Sequence, residues 1–346
     1  MTTYRAAILG CGPRAVAHAR AYALVSGGTL VACCDRHQEK SERFAAQFKI
    51  RGYTDLHDML RLEQPDLLHL VTPPDQRVPL MTLADACGVP ACLVEKPIAC
   101  AVADYRQLCD LAARTRTRFA VGHQVRYQAY LQQCGQALHS GALGPLRFLD
   151  FSAGLNVAGQ GTHILDWAMF LNHDEPVANV FGTAGGLTGG DRHHKAPEHT
   201  VARIRFANGV QGLWQNGPQA PRVSSAPETW KHLRIAAYAS AGQTLFEEFG
   251  RWHVQAPAGN QGGQTTLEQW SAMNDQAQAV LTESMFTWLS DAGRPSPTCL
   301  DRALHQWNAV LGLYASALWR RPVDIPCDPP EDLYERLCAK LAELNL

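Results

Sequence analysis

The sequence lacks a long apolar run, a C-x-x-C pair, an excess of charge of either sign and any internal repeat, and each absence removes a class of protein. Its 346 residues hold 31 Lys and Arg against 32 Asp and Glu, a formal net charge of −1. That balance gives no electrostatic footprint for nucleic acid or for an anionic membrane surface. No apolar stretch approaches the roughly 20 residues that a membrane-spanning helix requires. A first strand is expected within a few residues of Met1, which leaves no room for a targeting peptide, so a cytoplasmic location is the expectation. The eleven cysteines are odd in number and scattered, a pattern of neither a disulfide framework nor a zinc site. Cys33 and Cys34 fall in an apolar strand pattern, and Cys87, Cys92, Cys100 and Cys109 lie among alanines and valines. They read as reduced, buried, small hydrophobes.

What is present is an ordered globular composition, 46% hydrophobic and 18% charged, long enough for two domains. Five apolar runs, AAILG, TLVACCD, DLLHLVT, ACLVEKP and TRFAVG, alternate with helical stretches such as 36–49 and 101–114 up to residue 124. The alternation predicts βαβ units and a parallel sheet; the unbroken apolar runs fit strands buried on both faces. Beyond residue 125 the pattern changes to a helix over 126–140 and then alternating strands. HTVARIRF, ANG and VQGLWQ read as a hairpin turning with positive φ at Asn208-Gly209. Strands are also expected near 177–182, 231–239 and 244–248, and helices over 269–291, 300–320 and 332–344. All eight tryptophans follow residue 150, whereas eight of the eleven cysteines precede it. The expected division is 1–124, 125–320 and a tail helix in 321–346.

The stretch ILGCGPRA reads Gly10-x-Gly12-x-x-Ala15 directly after the first strand. The first glycine permits a tight turn, the second lets backbone approach a pyrophosphate, and the small Ala15 allows close helix–strand packing. Pro13 suits the first helical position, where a missing N–H costs nothing, and Arg14 stands inside the turn. Asp35, about 20 residues further on, is placed to hold a ribose hydroxyl. Its carboxylate favours NAD over NADP, although Arg36, His37 and Lys40 form a cationic cluster that leaves NADP open.

Nicotinamide belongs outside the carboxyl ends of the strands. Thr72 and Pro73 in VTPPDQR are expected as backbone contacts along the cofactor. VEKP presents Glu95 and Lys96 at a strand end. Lys96 there can hydrogen-bond a substrate hydroxyl and depress the pKa of a second group, or it is simply a solvated loop lysine. In AGQGTHILDW, His163 opens an apolar helix, as an acid–base group, a metal ligand or a satisfied core residue. Trp214 can stack on a pyranose face or belong to the sheet core. GGDRHHKAPEH gathers His193, His194, Glu198 and His199, in a spacing that matches no standard zinc pattern. It reads as a polar, substrate-facing loop, and no metal ligand is assigned.

GCGPRAVAHARAY, CDRHQEK, VTPPD, EKP, GHQVRY and GTHILDWAMFL, in this order and spacing, resemble the Gfo/Idh/MocA oxidoreductase family. The resemblance runs from the first strand to the hairpin near Trp214, and more weakly to residue 320. It implies a Rossmann domain followed by an α/β domain with a large, open, mostly antiparallel sheet, whose open face often makes dimers or tetramers. It implies NAD(P)-dependent oxidation or reduction of a hydroxyl carbon in sugars, glycosides or cyclitols. By position, Lys96 matches the catalytic-site lysine and His163 the acid–base histidine. Arg126 falls with the cofactor, and His123, Tyr127 and Gln160 fall with the substrate. Many family members carry an aspartate where this chain has Gly159. Two alternatives stay open: cleavage of a glycosidic bond through transient oxidation, and a non-catalytic dinucleotide- and sugar-binding regulator, which the Gly159 departure keeps open.

Overall fold

The computed structural model describes residues 3–187, 196–223 and 228–344. Two compact units divide the chain, and neither is continuous in sequence. The first comprises 1–99, 106–127 and 274–304; the second comprises 100–105, 128–273 and 305–346.

In the first unit six strands, β1 (Tyr4–Leu9), β2 (Gly28–Cys34), β3 (Arg51–Tyr53), β4 (Leu67–Leu70), β5 (Ala91–Val94) and β6 (Arg118–Val121), form a parallel sheet ordered β3-β2-β1-β4-β5-β6. The order reverses between β1 and β4, the switch point where α/β sheets take ligands. The helices are α1 (Pro13–Ala21), α2 (Gln38–Phe48), α3 (Leu56–Glu63), α4 (Arg77–Ala86) and α5 (Val102–Arg114). β4 and β5 are buried at every position, as their unbroken apolar runs require.

The second unit opens with α6 (Ala129–His139), β7 (Leu146–Ala153), α7 (Thr162–Leu171), β8 (Val177–Gly185), β9 (His199–Phe206) and β10 (Gln211–Asn216). It continues with β11 (Leu233–Ala239), β12 (Gln243–Glu247), β13 (Arg251–Ala256) and β14 (Gly259–Gln264). After these come α8 (Leu267–Ser290) and α9 (Leu300–Trp319), of which residues 274–290 and 300–304 belong to the first unit, and then β15 (Val323–Asp324) and α10 (Leu333–Glu343) of the second. Its nine strands run β14-β13-β12-β11-β7-β10-β9-β8-β15 and are antiparallel except where β7 meets β10. Alternation sets the faces: along β9, Thr200, Ala202, Ile204 and Phe206 are buried while Val201 is 43% exposed. α6 packs on β12 and β13, and α7 on β7 and β11.

Several expectations change. The boundary at 124 is replaced by an interleaved one, because Leu281, Met285 and Phe286 of α8 complete the apolar cluster on Ala6, Leu67, Ala91, Leu93 and Ala120. The tail helix α10 is part of the second compact unit. The helix expected over 126–140 is a 3₁₀ turn at Gln124–Tyr127 followed by α6. In the β9–β10 turn only Gly209 has positive φ, +89°, while Asn208 turns its side chain to accept the Val210 N–H at 3.1 Å. Cys87 is exposed and Cys100 and Cys109 are half-buried, not buried; none of the eleven cysteines forms a disulfide, and five are buried.

Candidate active site

The nucleotide half lies in the first unit. Gly10 leaves β1 with φ +94°, and a Cβ there would stand 2.2 Å from the Val71 carbonyl oxygen. No other residue fits. At Gly12 a Cβ would meet nothing within 4 Å, so the backbone is open on the side from which a phosphate approaches. Pro13 begins α1 and Ala15 is fully buried. The first amides of α1 and the positive end of its dipole therefore surround open space, which fits a dinucleotide pyrophosphate. The half-buried Asp35 accepts the Cys11 N–H and the His37 N–H, each at 3.0 Å, tying the end of β2 to the glycine turn. Arg36 beyond it is exposed. Thr72 and Pro73 follow β4, where the buried Arg77 donates to the Thr72 carbonyl at 3.0 Å and fixes that loop.

Glu95 ends β5 and is 7% exposed. Arg14 donates to its Oε1 at 2.7 Å, and His18 Nε2 lies 2.8 Å from the same oxygen. Burial alone would raise this carboxyl, but Arg14, then His18 and Lys96, hold it well below the ordinary carboxylate range. The sequence reading missed His18, His69 and Tyr22 around this carboxylate. Their signal was present: Arg14, His18 and Tyr22 recur every fourth residue, one stripe of a helix, and His69 interrupts the apolar run of β4. Lys96 is half-buried, directly after Glu95. His123 and Arg126 are buried, and Tyr127 is half-buried, in the segment after β6.

His163, the expected acid–base residue, lies in the second unit. Between Asn156 and α7 the chain makes one wide π-type turn, Val157–Gly161, in which the Gly161 N–H reaches the Asn156 carbonyl at 3.4 Å. Such turns have no compositional signature, and they gather at functional sites. Asn156 Oδ1 accepts the Gly159 N–H at 2.8 Å. A Cβ at Gly159 would stand 3.1 Å from that oxygen and 3.4 Å from Leu155 Cβ. The place of the expected aspartate is closed by Asn156, not opened as extra pocket. Gln160 accepts the Leu155 N–H and donates to the Trp230 carbonyl at 2.7 Å. His163, 8% exposed, stands one turn further on. Asp166 is fully buried and accepts from Gln306 at 3.0 Å, a structural role.

Trp214 is fully buried, with its ring 6.3 Å from Phe151 on the inner sheet face, so it stacks on core and not on a ligand. His193 and His194 lie outside the described residues. Among the described residues no three His, Cys, Asp or Glu side chains form a group that could hold a metal, and no helix is long and apolar enough to cross a membrane.

The parallel sheet, its switch point and the glycine turn are those of a Rossmann fold. Residues 4–123 match the model of Gfo/Idh/MocA, an oxidoreductase family with an NAD-binding Rossmann fold. The chain is 31% identical over 189 residues to a D-apiose dehydrogenase of Paraburkholderia graminis, covering 49% of this chain and 50% of that protein. It is 29% identical over 154 residues to a glycosyl hydrolase family 109 protein of Streptomyces coelicolor, covering 42% of this chain and 32% of the other. The chain thus spans about half the length of the curated dehydrogenases it matches. The fold extends further. An oxidoreductase of Agrobacterium radiobacter, solved with NAD+, L-tartaric acid and magnesium, superimposes with a TM-score of 0.79 at 21% identity, over 94% of this chain and 99% of that one.

Proposed function

We propose that the protein is an NAD-dependent oxidoreductase acting on a secondary hydroxyl, or the matching ketone, of a sugar, glycoside or cyclitol. The observation that carries the reading is the glycine turn clamped to Glu95, which sets Lys96 at the strand end of an NAD-family Rossmann unit. The similarity to a D-apiose dehydrogenase supports a hydroxylated substrate. NADP remains an alternative cofactor, tested beside NAD.

Bound nicotinamide would supply the hydride acceptor. In the oxidation direction Lys96 donates a hydrogen bond to the substrate hydroxyl and stabilises negative charge developing on its oxygen. His163 takes the hydroxyl proton while the hydride leaves the same carbon, so alcohol becomes ketone. Gly10, Gly12, Pro13, Arg14 and Ala15 hold the pyrophosphate side, Asp35 and Arg36 the ribose, and Thr72, Pro73 and Arg126 flank the nicotinamide side. Gln160, His123 and Tyr127 face substrate. The likeness to a glycosyl hydrolase family 109 protein favours a second reading, in which transient oxidation cleaves a glycosidic bond with no net redox change.

A screen of myo-inositol, D-apiose, D-glucose and aryl glycosides with NAD+ and NADP+ tests both readings. The expected outcome is reduced cofactor with at least one polyol, and a loss of about 10²–10⁴ in kcat for His163→Ala and Lys96→Ala. Release of the aglycone without reduced cofactor transfers the assignment to the second reading. No turnover with any polyol or glycoside, or full activity in both variants, rejects the site.

The working form is expected to be a homodimer or homotetramer. Phe148, Phe181, Val201 and Tyr238, each 37–46% exposed, lie on the sheet face that α6 and α7 leave uncovered. Light scattering after gel filtration should give a multiple of 37.9 kDa, reduced by Phe181→Asp with Tyr238→Asp.

A further inference from the structure

Two histidines with no part in the proposed chemistry are fully buried beside the cofactor turn: His18 on α1 and His69 on β4. Their Nδ1 atoms face each other at 3.0 Å. His18 Nε2 lies 2.8 Å from Glu95 Oε1, and His69 Nε2 lies 2.8 Å from the Tyr22 hydroxyl. The Arg14 guanidinium, always protonated, donates to the same Glu95 oxygen and, through its second nitrogen, to Gln278 at 2.8 Å.

The protons of this chain can be assigned by elimination. A carboxylate held by a guanidinium is an acceptor, so His18 Nε2 carries hydrogen. Burial, then Arg14, disfavours the charged form of His18, which leaves its Nδ1 bare. His69 Nδ1 must then donate. Burial and the neighbouring His18 likewise keep His69 neutral, so its Nε2 accepts from Tyr22. Every hydrogen bond is satisfied only by one order: Tyr22 to His69, His69 to His18, His18 to Glu95.

We propose that His69, His18 and Tyr22 are positioning residues for the dinucleotide turn. Their one-way donor chain locks the Arg14–Glu95 pair, which joins the glycine turn to the strand end bearing Lys96. The proposal rests on the reading that the first unit binds a dinucleotide. It adds that affinity is set partly by proton order in residues that never touch the ligand. Apolar side chains could fill the same volume, but they would leave the Glu95 oxygen with Arg14 alone and the turn less constrained.

The test uses the full chain with NADH as probe and no substrate. In ¹⁵N-histidine-labelled protein at pH 7, long-range ¹H–¹⁵N spectra should show His18 protonated at Nε2 and His69 at Nδ1, assigned by the single variants. His69→Leu should raise the NADH dissociation constant about tenfold, the scale of one buried hydrogen bond left unmade. His69→Asn, whose amide can still donate to His18, should stay within about threefold of the parent. If His69→Leu does not fold, Tyr22→Phe serves instead: it leaves His69 Nε2 without its donor and should weaken NADH while the His69 Nδ1 proton stays in place. Unchanged affinity in the folded variants, equal losses for Leu and Asn, or the opposite tautomers in the parent overturn the proposal. Failure of the parent itself to bind NADH overturns the cofactor reading instead, and absence of turnover bears on neither arm.

Discussion

At Gly10 a single hydrogen in place of a methyl group decides whether the nucleotide turn can close. Positive φ and a carbonyl oxygen 2.2 Å from the missing Cβ act together there. Gly10→Ala is expected to cost about 1–3 kcal/mol of stability and to abolish measurable NADH binding, read by thermal melting and fluorescence titration. This glycine was legible in the sequence because its neighbours Gly12 and Ala15 and the preceding strand give it only one role. Gly159 was legible only as a departure from a pattern. That Asn156 fills its place depends on a side-chain bond within a turn, which no spacing announces. Trp214 had two readings, ligand platform and core; the register of β10 against β7, opposite Phe151, decides for core.

Among the elements, apolar runs carried most of the information. β4, β5 and β6 fall inside the runs named from sequence, and β1 and β2 overlap theirs but begin one or two residues earlier, since a strand buried on both faces can be little else. β3 has three residues and β14 is exposed throughout, so neither had a pattern to show. The joint between α1 and β4 yields a prediction of its own. His18 and His69 have folded pKa values below the ordinary 6.5, chiefly through burial, with Arg14 and Glu95 as the facing charges and Tyr22 at the far end. As pH falls below about 6.5, the unfolded chain takes up protons that the folded chain refuses. The contribution is complete above pH 6.5 and is lost on acidification, at up to about 1.4 kcal/mol per pH unit for each group. Denaturant midpoints measured from pH 7.5 to 5 should therefore decline. The double variant His18→Phe, His69→Leu should start lower at pH 7.5 and decline less steeply.

For the whole molecule, composition indicated two domains, and the compact units have another outline. Periodicity finds helices without saying whose core they complete, so α8 was assigned to the second domain by its place in the sequence. Its residues Leu281, Met285 and Phe286 instead close the first unit's apolar cluster. A fragment ending at residue 127 is therefore expected to expose Ala6, Leu67, Leu93 and Ala120, to bind an apolar dye and to bind no NADH. Joining residues 274–304 to it through a flexible linker should restore a cooperative melt, followed by circular dichroism. The same arrangement governs the order of events on the ribosome. The amino-terminal strands emerge first, yet they wait for residue 304 before their last layer arrives, and the entire second unit up to Met273 is made in between. The first unit is thus finished only after residues 128–273 of the second have been made, and its unfinished surface is what a chaperone would meet during synthesis.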